Sequence, residues 1–168
     1  MSKDFSEIPV IRFYIREEPY GFLSNFWRCP QKVYLDYGRY ETFPTNEHYY
    51  QSMKAKYDRT REWIASAPTA MVAMTTGRAL PEKEMRSDWN IVREEIMLHG
   101  LRAKFENETL RLLLLWTGNA ELVEDSPTDW FWGGSLPGSQ NALGKLLMKV
   151  RDEIRAELQS DNIQEDFL

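Results

Sequence analysis

The chain has 168 residues, 42% of them apolar and 28% charged, with a formal net charge of -5, which suits one globular domain and argues against a broad basic surface for a nucleic-acid backbone. One cysteine, Cys29, excludes an intrachain disulfide framework and makes a reducing cytoplasm the expected compartment. The first residues carry no apolar run of signal-peptide length, and no stretch approaches 18 apolar residues, so neither secretion nor a membrane span is expected.

The first predicted element is a strand over 10–16, where "VIRFYIR" is rich in β-branched and aromatic residues. Pro19 and Gly21 make 17–26 a loop. A hairpin over 32–43 turns near Tyr37-Gly38. In "FPTNEHYYQSMKAKY", Pro44-Thr45 signals the start of a helix over 45–57. Two short helices follow, over 60–67 and 68–77, the second with Pro68 at its first position and Gly77 at its end. A longer helix over 87–107 takes Ser87 or Asp88 as its N-cap and carries a stripe of Trp89, Val92, Ile96 and Ala103. A helix over 108–118 ends at Gly118, and 120–125 is a short strand. Residues 126–140 form a long Gly/Pro-rich aromatic loop. The last helix, 141–158, buries Leu143, Leu147, Val150 and Ile154, and a polar tail frays from Gln159. The expected fold is α+β: a single, mainly helical domain with a few N-terminal strands, a core over about 10–158 and a tail over 159–168.

Three places hold candidate chemistry. Glu47, Tyr50, Gln51 and Lys54 share one helix face, with Tyr49, Met53 and Tyr57 as an apolar stripe beside them. Spacing alone favours a solvated face, with Glu47 serving the helix dipole and Lys54 in water. The loop over 125–140 brings Asp125, Asp129, Trp130, Trp132, Gly133 and Gly134 together. Glycines admit a ligand to the backbone, a Trp stacks on a base and an Asp takes a proton. Its plainer use is to plug the core with aromatics. Asn141 and Gly144 open the last helix, whose N-terminus can receive a phosphate, although capping is the commoner use of such an Asn. Asn25 in "GFLSNFW" offers a donor and an acceptor to a sugar or base edge. Trp89 can pack the core or stack on a ligand. His48 and His99 lie far apart with no cysteine or histidine at ligand spacing, so no metal is expected.

The blocks "GFLSNF", "FPTNEHYYQSMKAKY", "SDWNIVREEIM", "LRAKF", "LLLLWTGNAELVEDSPTDWFWGGS" and "NALGKLLMKVRDEI" occur in an order that resembles the NADAR family of YbiA-like N-glycosidases, over roughly 12–156. The resemblance implies a mainly helical α+β fold and hydrolysis of the N-glycosidic bond to a ribose, with no cofactor. It implies small-molecule substrates: early riboflavin-pathway intermediates, which release a pyrimidine and ribose 5-phosphate. The alternative substrate is ADP-ribose carried on guanine in nucleic acid. A further alternative is a non-catalytic module that binds ADP-ribose or NAD. The family's acidic E-H position falls on Glu47, its Q-x-x-K lysine on Lys54 and its D-x-F/Y-W-G block on Asp129, Trp132 and Gly133. Its L-S-N-F and D-W blocks fall on Asn25 and Trp89. Glu47, Lys54 and Asp129 are thus the expected catalytic residues. Asn25, Tyr50, Trp89, Trp132, Gly133 and Asn141 are the expected substrate contacts. Two carboxylates suit an oxocarbenium-like transition state, while Lys54 serves either a phosphate or, as a neutral amine, a ring-opened sugar aldehyde.

Overall fold

The computed structural model describes residues 8–165. Its regular elements are β1 (Val10–Phe13), β2 (Gln31–Leu35), β3 (Arg39–Phe43), α1 (Asn46–Ser52), α2 (Asp58–Ala65), α3 (Ala70–Arg78), α4 (Trp89–Lys104), α5 (Glu108–Trp116), β4 (Glu121–Glu124) and α6 (Ala142–Glu165). Short 3-10 turns occur at Gly21–Leu23 and Glu82–Glu84. No helix among the described residues is long and apolar enough to cross a membrane. The chain forms two compact units, named for their places along the sequence: a central one, Asn25–Asn107, and a flanking one made of Met1–Ser24 and Glu108–Leu168.

In the flanking unit β1 and β4 pair in parallel, from Val10↔Glu121 to Phe13↔Glu124. Leu114, Leu122, Leu143 and Leu147 are fully buried, and Val150 and Ile154 nearly so. Leu143, Leu147, Val150 and Ile154 repeat along α6 at helical spacing and make its apolar stripe, with Leu114 of α5 and Leu122 of β4 buried in the same unit. The end of α5 leaves carbonyls and a hydroxyl to be satisfied, and two cations of α6 reach them. Arg151 Nη1 donates to Thr117 Oγ1 at 2.7 Å, and Arg155 Nη2 donates to the Gly118 carbonyl at 2.5 Å.

In the central unit β2 and β3 form the predicted antiparallel hairpin, with Val33 opposite Glu41. Gly38 makes the turn at φ +82°, a conformation that costs glycine little. Gln31, Val33 and Leu35 point inward while Lys32 and Tyr34 point out, so the strand is covered on one face only. Helix α1 is buried along its whole length. Two glycines let it in so closely. A Cβ on Gly100 of α4 would collide with Asn46 Oδ1 and stand 2.5 Å from the Tyr49 ring, and one on Gly77 of α3 would collide with Gln51.

Several boundaries differ from the predicted ones. The helix expected over 45–57 stops at Ser52, because the chain beyond it pairs with residues 84–86. Lys56 N donates to Glu84 O at 2.8 Å and Arg86 N to Lys54 O at 2.9 Å, around an Ala55↔Met85 bridge. That bridge satisfies the backbone in place of another helical turn. Tyr57, expected to anchor α1, is instead the N-cap residue of α2 and is 51% exposed. Thr69 rather than Pro68 starts α3, its hydroxyl accepting from Val72 N at 3.2 Å. The first strand ends at Phe13, short of 16, and α6 continues to Glu165, past the predicted end at 158. Asp88 is the N-cap residue of α4 but makes no side-chain cap; its carboxylate is held by Arg86.

Candidate active site

Helix α1 is fixed at its start from two sides. Thr45 Oγ1 accepts from His48 N at 3.3 Å, and the Asn25 carbonyl accepts from Glu47 N at 3.0 Å. The His48 ring completes the clamp, with Nε2 donating to the Ala67 carbonyl at 3.1 Å and Nδ1 2.8 Å from Thr45 Oγ1. With Nε2 donating, Nδ1 accepts from the threonine hydroxyl, and burial holds the imidazole below its usual pKa and neutral.

This start places the Glu47 side chain inside the unit, not in water. Glu47 is 6% exposed, and Gln51 Nε2 donates to its Oε1 at 2.7 Å. One turn on, Tyr50 and Trp89 face each other with ring centroids 5.0 Å apart, and both are buried. The Lys54 ammonium lies over both rings, 5.5 Å from the Tyr50 centroid and 5.6 Å from that of Trp89. Although α1 ends before Lys54, the turn that follows keeps the lysine on the Tyr50 side, and its charge meets two π faces. The solvated face that spacing favours is therefore replaced by a buried carboxylate and a cation over aromatics.

Asn25 sits in the same unit, but its side chain turns inward. Its Oδ1 accepts from Asn46 Nδ2 at 2.9 Å and its Nδ2 donates to Met97 Sδ at 3.4 Å. Asn46 Oδ1 in turn accepts from Gln31 Nε2 at 3.1 Å. The structure gives Asn25 the work of holding the entry to α1. Trp89 also borders a cleft of about 790 Å³, whose wall includes Met53, Tyr37, Arg61 and the Arg86–Asp88 pair. That pair is bidentate, at 2.6 and 2.9 Å. The Arg39 and Arg61 guanidinium groups lie 4.9 and 5.4 Å from the Tyr37 ring centroid.

The remaining expected residues belong to the flanking unit. Asp129 Oδ1 accepts from the backbone N–H groups of Phe131, at 3.0 Å, and Trp132, at 2.7 Å. This Asx turn orders an otherwise irregular loop. Trp132 is half-buried and meets Phe131 edge to face, with centroids 4.8 Å apart. Gly133 is buried, and its carbonyl accepts from Asn141 N at 2.8 Å. The Asn141 side chain donates to the Leu122 carbonyl at 2.8 Å and accepts from Glu124 N at 3.2 Å. Its amide is thus committed to β4 at both ends, and at φ +50° it shapes the entry to α6.

A family model described as the NADAR domain matches residues 12–155. The chain belongs to the NADAR family. It is 41% identical over 150 residues to N-glycosidase YbiA of Escherichia coli (strain K12), covering 88% of this chain and 90% of that protein. It is 36% identical to N-glycosidase Npun_R5314 of Nostoc punctiforme, covering 93% and 99%. It also matches 38% of the length of the riboflavin biosynthesis protein VVA0006 of Vibrio vulnificus, at 38% identity. The NMR structure of E. coli YbiA superposes with a TM-score of 0.79 at 39% identity, covering 91% of this chain and 89% of that one. This NADAR chain thus has the mainly helical α+β fold of that protein.

Gln51, which spacing places beside Glu47 without giving it a role, and three residues that spacing does not single out matter to this NADAR site or its frame. Gln51 holds Glu47, Asn46 joins Asn25 to Gln31, and Arg86 fixes both Asp88 and the Lys54 carbonyl. Lys104 is 1% exposed, and desolvation pulls its amine down to about 7. Its neighbour Cys29 has a thiol pushed up by burial. Among the described residues no cluster of three or more His, Cys, Asp or Glu is arranged to hold a metal ion.

Proposed function

We propose that this protein is an N-glycosidase that hydrolyses the C–N bond between a ribose phosphate and a nucleobase-like ring, and that its substrates are pyrimidine intermediates of the riboflavin pathway. The observation that carries the reading is the buried Glu47 carboxylate, followed about two turns along the chain by a lysine held over two aromatic rings. As the C–N bond breaks, the anomeric carbon gains positive charge, and a fixed carboxylate out of bulk water stabilises it strongly. Glu47 is assigned that role. Trp89 and Tyr50 offer an apolar wall for a planar ring, and Lys54 offers a cation for the phosphate or an amine for the ring-opened sugar. For Asp129 the family pattern alone implies a second carboxylate role, that of a base for the attacking water, whose proton goes to the departing nitrogen. The names of the E. coli, Nostoc and Vibrio relatives support both the reaction and the pathway. A cytoplasmic setting fits the unpaired Cys29.

A second substrate, ADP-ribose on guanine, is favoured by the cleft of about 790 Å³ that shares Trp89, which has room for more than a ribose phosphate. The deciding experiment incubates the protein separately with a ribosylated pyrimidine intermediate and with ADP-ribosylated guanine DNA, and follows release of free base by mass spectrometry. Glu47→Gln is expected to lower turnover at least about 100-fold with the fold intact. Binding of ADP-ribose without any released base, or full turnover by Glu47→Gln, would overturn the reading.

A further inference from the structure

We infer that Gln51 is the positioning residue for the Glu47 carboxylate, and that Gly77 is the gap in α3 that lets Gln51 take up that position. The inference rests on the catalytic role proposed for Glu47. The two side chains are one turn apart on α1, both buried, and joined by the 2.7 Å bond from Nε2 to Oε1. The other end of the amide, Gln51 Oε1, is buried without a hydrogen-bond partner among the described residues. For stability alone an apolar side chain of the same length would do better there, since a buried acceptor left unsatisfied is costly. The single bond to Glu47 is what the amide provides.

Gly77 supports the same conclusion from the facing helix. It is not among the glycines at positive φ, so its backbone does not require glycine, and a glycine inside a helix is unfavourable. What requires glycine is space. A Cβ there would collide with Gln51 Oε1 and stand 2.9 Å from its Cβ and 3.0 Å from its Cδ. Any larger residue pushes the Gln51 side chain and so disturbs the bond from its amide to the carboxylate.

The test uses Gln51→Met, which keeps the length and removes the donor, and Gly77→Ala, in the full chain. Both are expected to lower kcat about 10- to 100-fold with KM changed less than about twofold, because a displaced carboxylate weakens the transition state more than the ground state. Adding Gln51→Met to Glu47→Gln should change nothing further. In 15N-labelled wild type, the Gln51 side-chain amide should be protected from exchange, and protection should be lost in Glu47→Ala and in Gly77→Ala. Wild-type kcat in Gln51→Met overturns the inference, even where Glu47→Gln is inactive and the proposed function stands. A freely exchanging Gln51 amide in the wild type overturns it whether or not any substrate turns over. Should Gly77→Ala fail to fold, Gln51→Met and the wild-type amide decide the matter alone.

Discussion

Replacing Lys104 by Met should flatten the alkaline pH dependence of stability. In the folded chain this lysine is 1% exposed and its amine falls from an ordinary 10.5 to about 7, chiefly through desolvation. Its folded pKa is lowered, so between those two values the unfolded chain binds more protons. Stability therefore rises with pH through that window and is fully present only above the unfolded value. The gap of 10.5 − 7, at about 1.4 kcal/mol per unit, means that the lysine withholds about 4 kcal/mol at pH 7. About half of that, ~2 kcal/mol, should return by pH 9. The Lys104→Met side chain carries no charge and fits a similar volume. Urea unfolding of both proteins at pH 7 and pH 9 isolates the lysine together with its coupling to the Cys29 thiol, because the remaining titrations are common to both. Wild type should gain about 2 kcal/mol more than Lys104→Met across this interval. Equal gains would show that the amine keeps its proton in the fold, held by partners that compensate its burial, and would refute the desolvation argument.

Asp129 separates structure from chemistry. Asp129→Asn keeps an oxygen for the Phe131 and Trp132 N–H groups and should melt within a few degrees of wild type, while Asp129→Ala loses both bonds and should cost about 1–3 kcal/mol. If Asp129 is the second carboxylate, kinetics on Asp129→Asn should show a large fall in kcat despite the intact loop. Acid should loosen the start of α1. The folded His48 pKa is lowered, so the stability from its neutral form is full above about pH 6.5 and declines as pH drops below that value. Thermal melts from pH 7 to pH 5 should show this fall, and His48→Gln should show less of it. Asn46→Leu strips partners from Asn25 and Gln31 and should destabilise the chain by about 2–4 kcal/mol in chemical denaturation.

What the sequence reveals and what it hides divide along a physical line. The hairpin was legible because its signals are local: alternating burial from Gln31 to Leu35 and a glycine at the turn. Helices α4 and α6 were legible for the same reason, each with an apolar stripe at a period of 3.6. The end of α1 was not, because it depends on Ala55 meeting Met85 across thirty positions of chain. Nor was the burial of Glu47, Gln51 and Asn46, since a polar helix face looks solvated until its neighbours are known. Lys104 was hidden in the same way: a lysine at a helix end normally serves the dipole, and only packing shows that this one is enclosed. The ordered blocks led to Glu47 and Lys54 without indicating how either is held. Gly77 and Gly100 carry the missing signal. Each sits within or at the end of a predicted helix, neither takes a positive φ, and each makes room for a polar residue of α1, Gln51 in one case and Asn46 in the other. A helix crowded with polar residues, together with later helices that accept glycine without conformational need, points to a polar helix pressed into the centre of its unit. On that reasoning the constraint on the helix that carries the carboxylate was present in the sequence, at Gly77 and Gly100, 20 and 43 residues past the end of the motif that contains it.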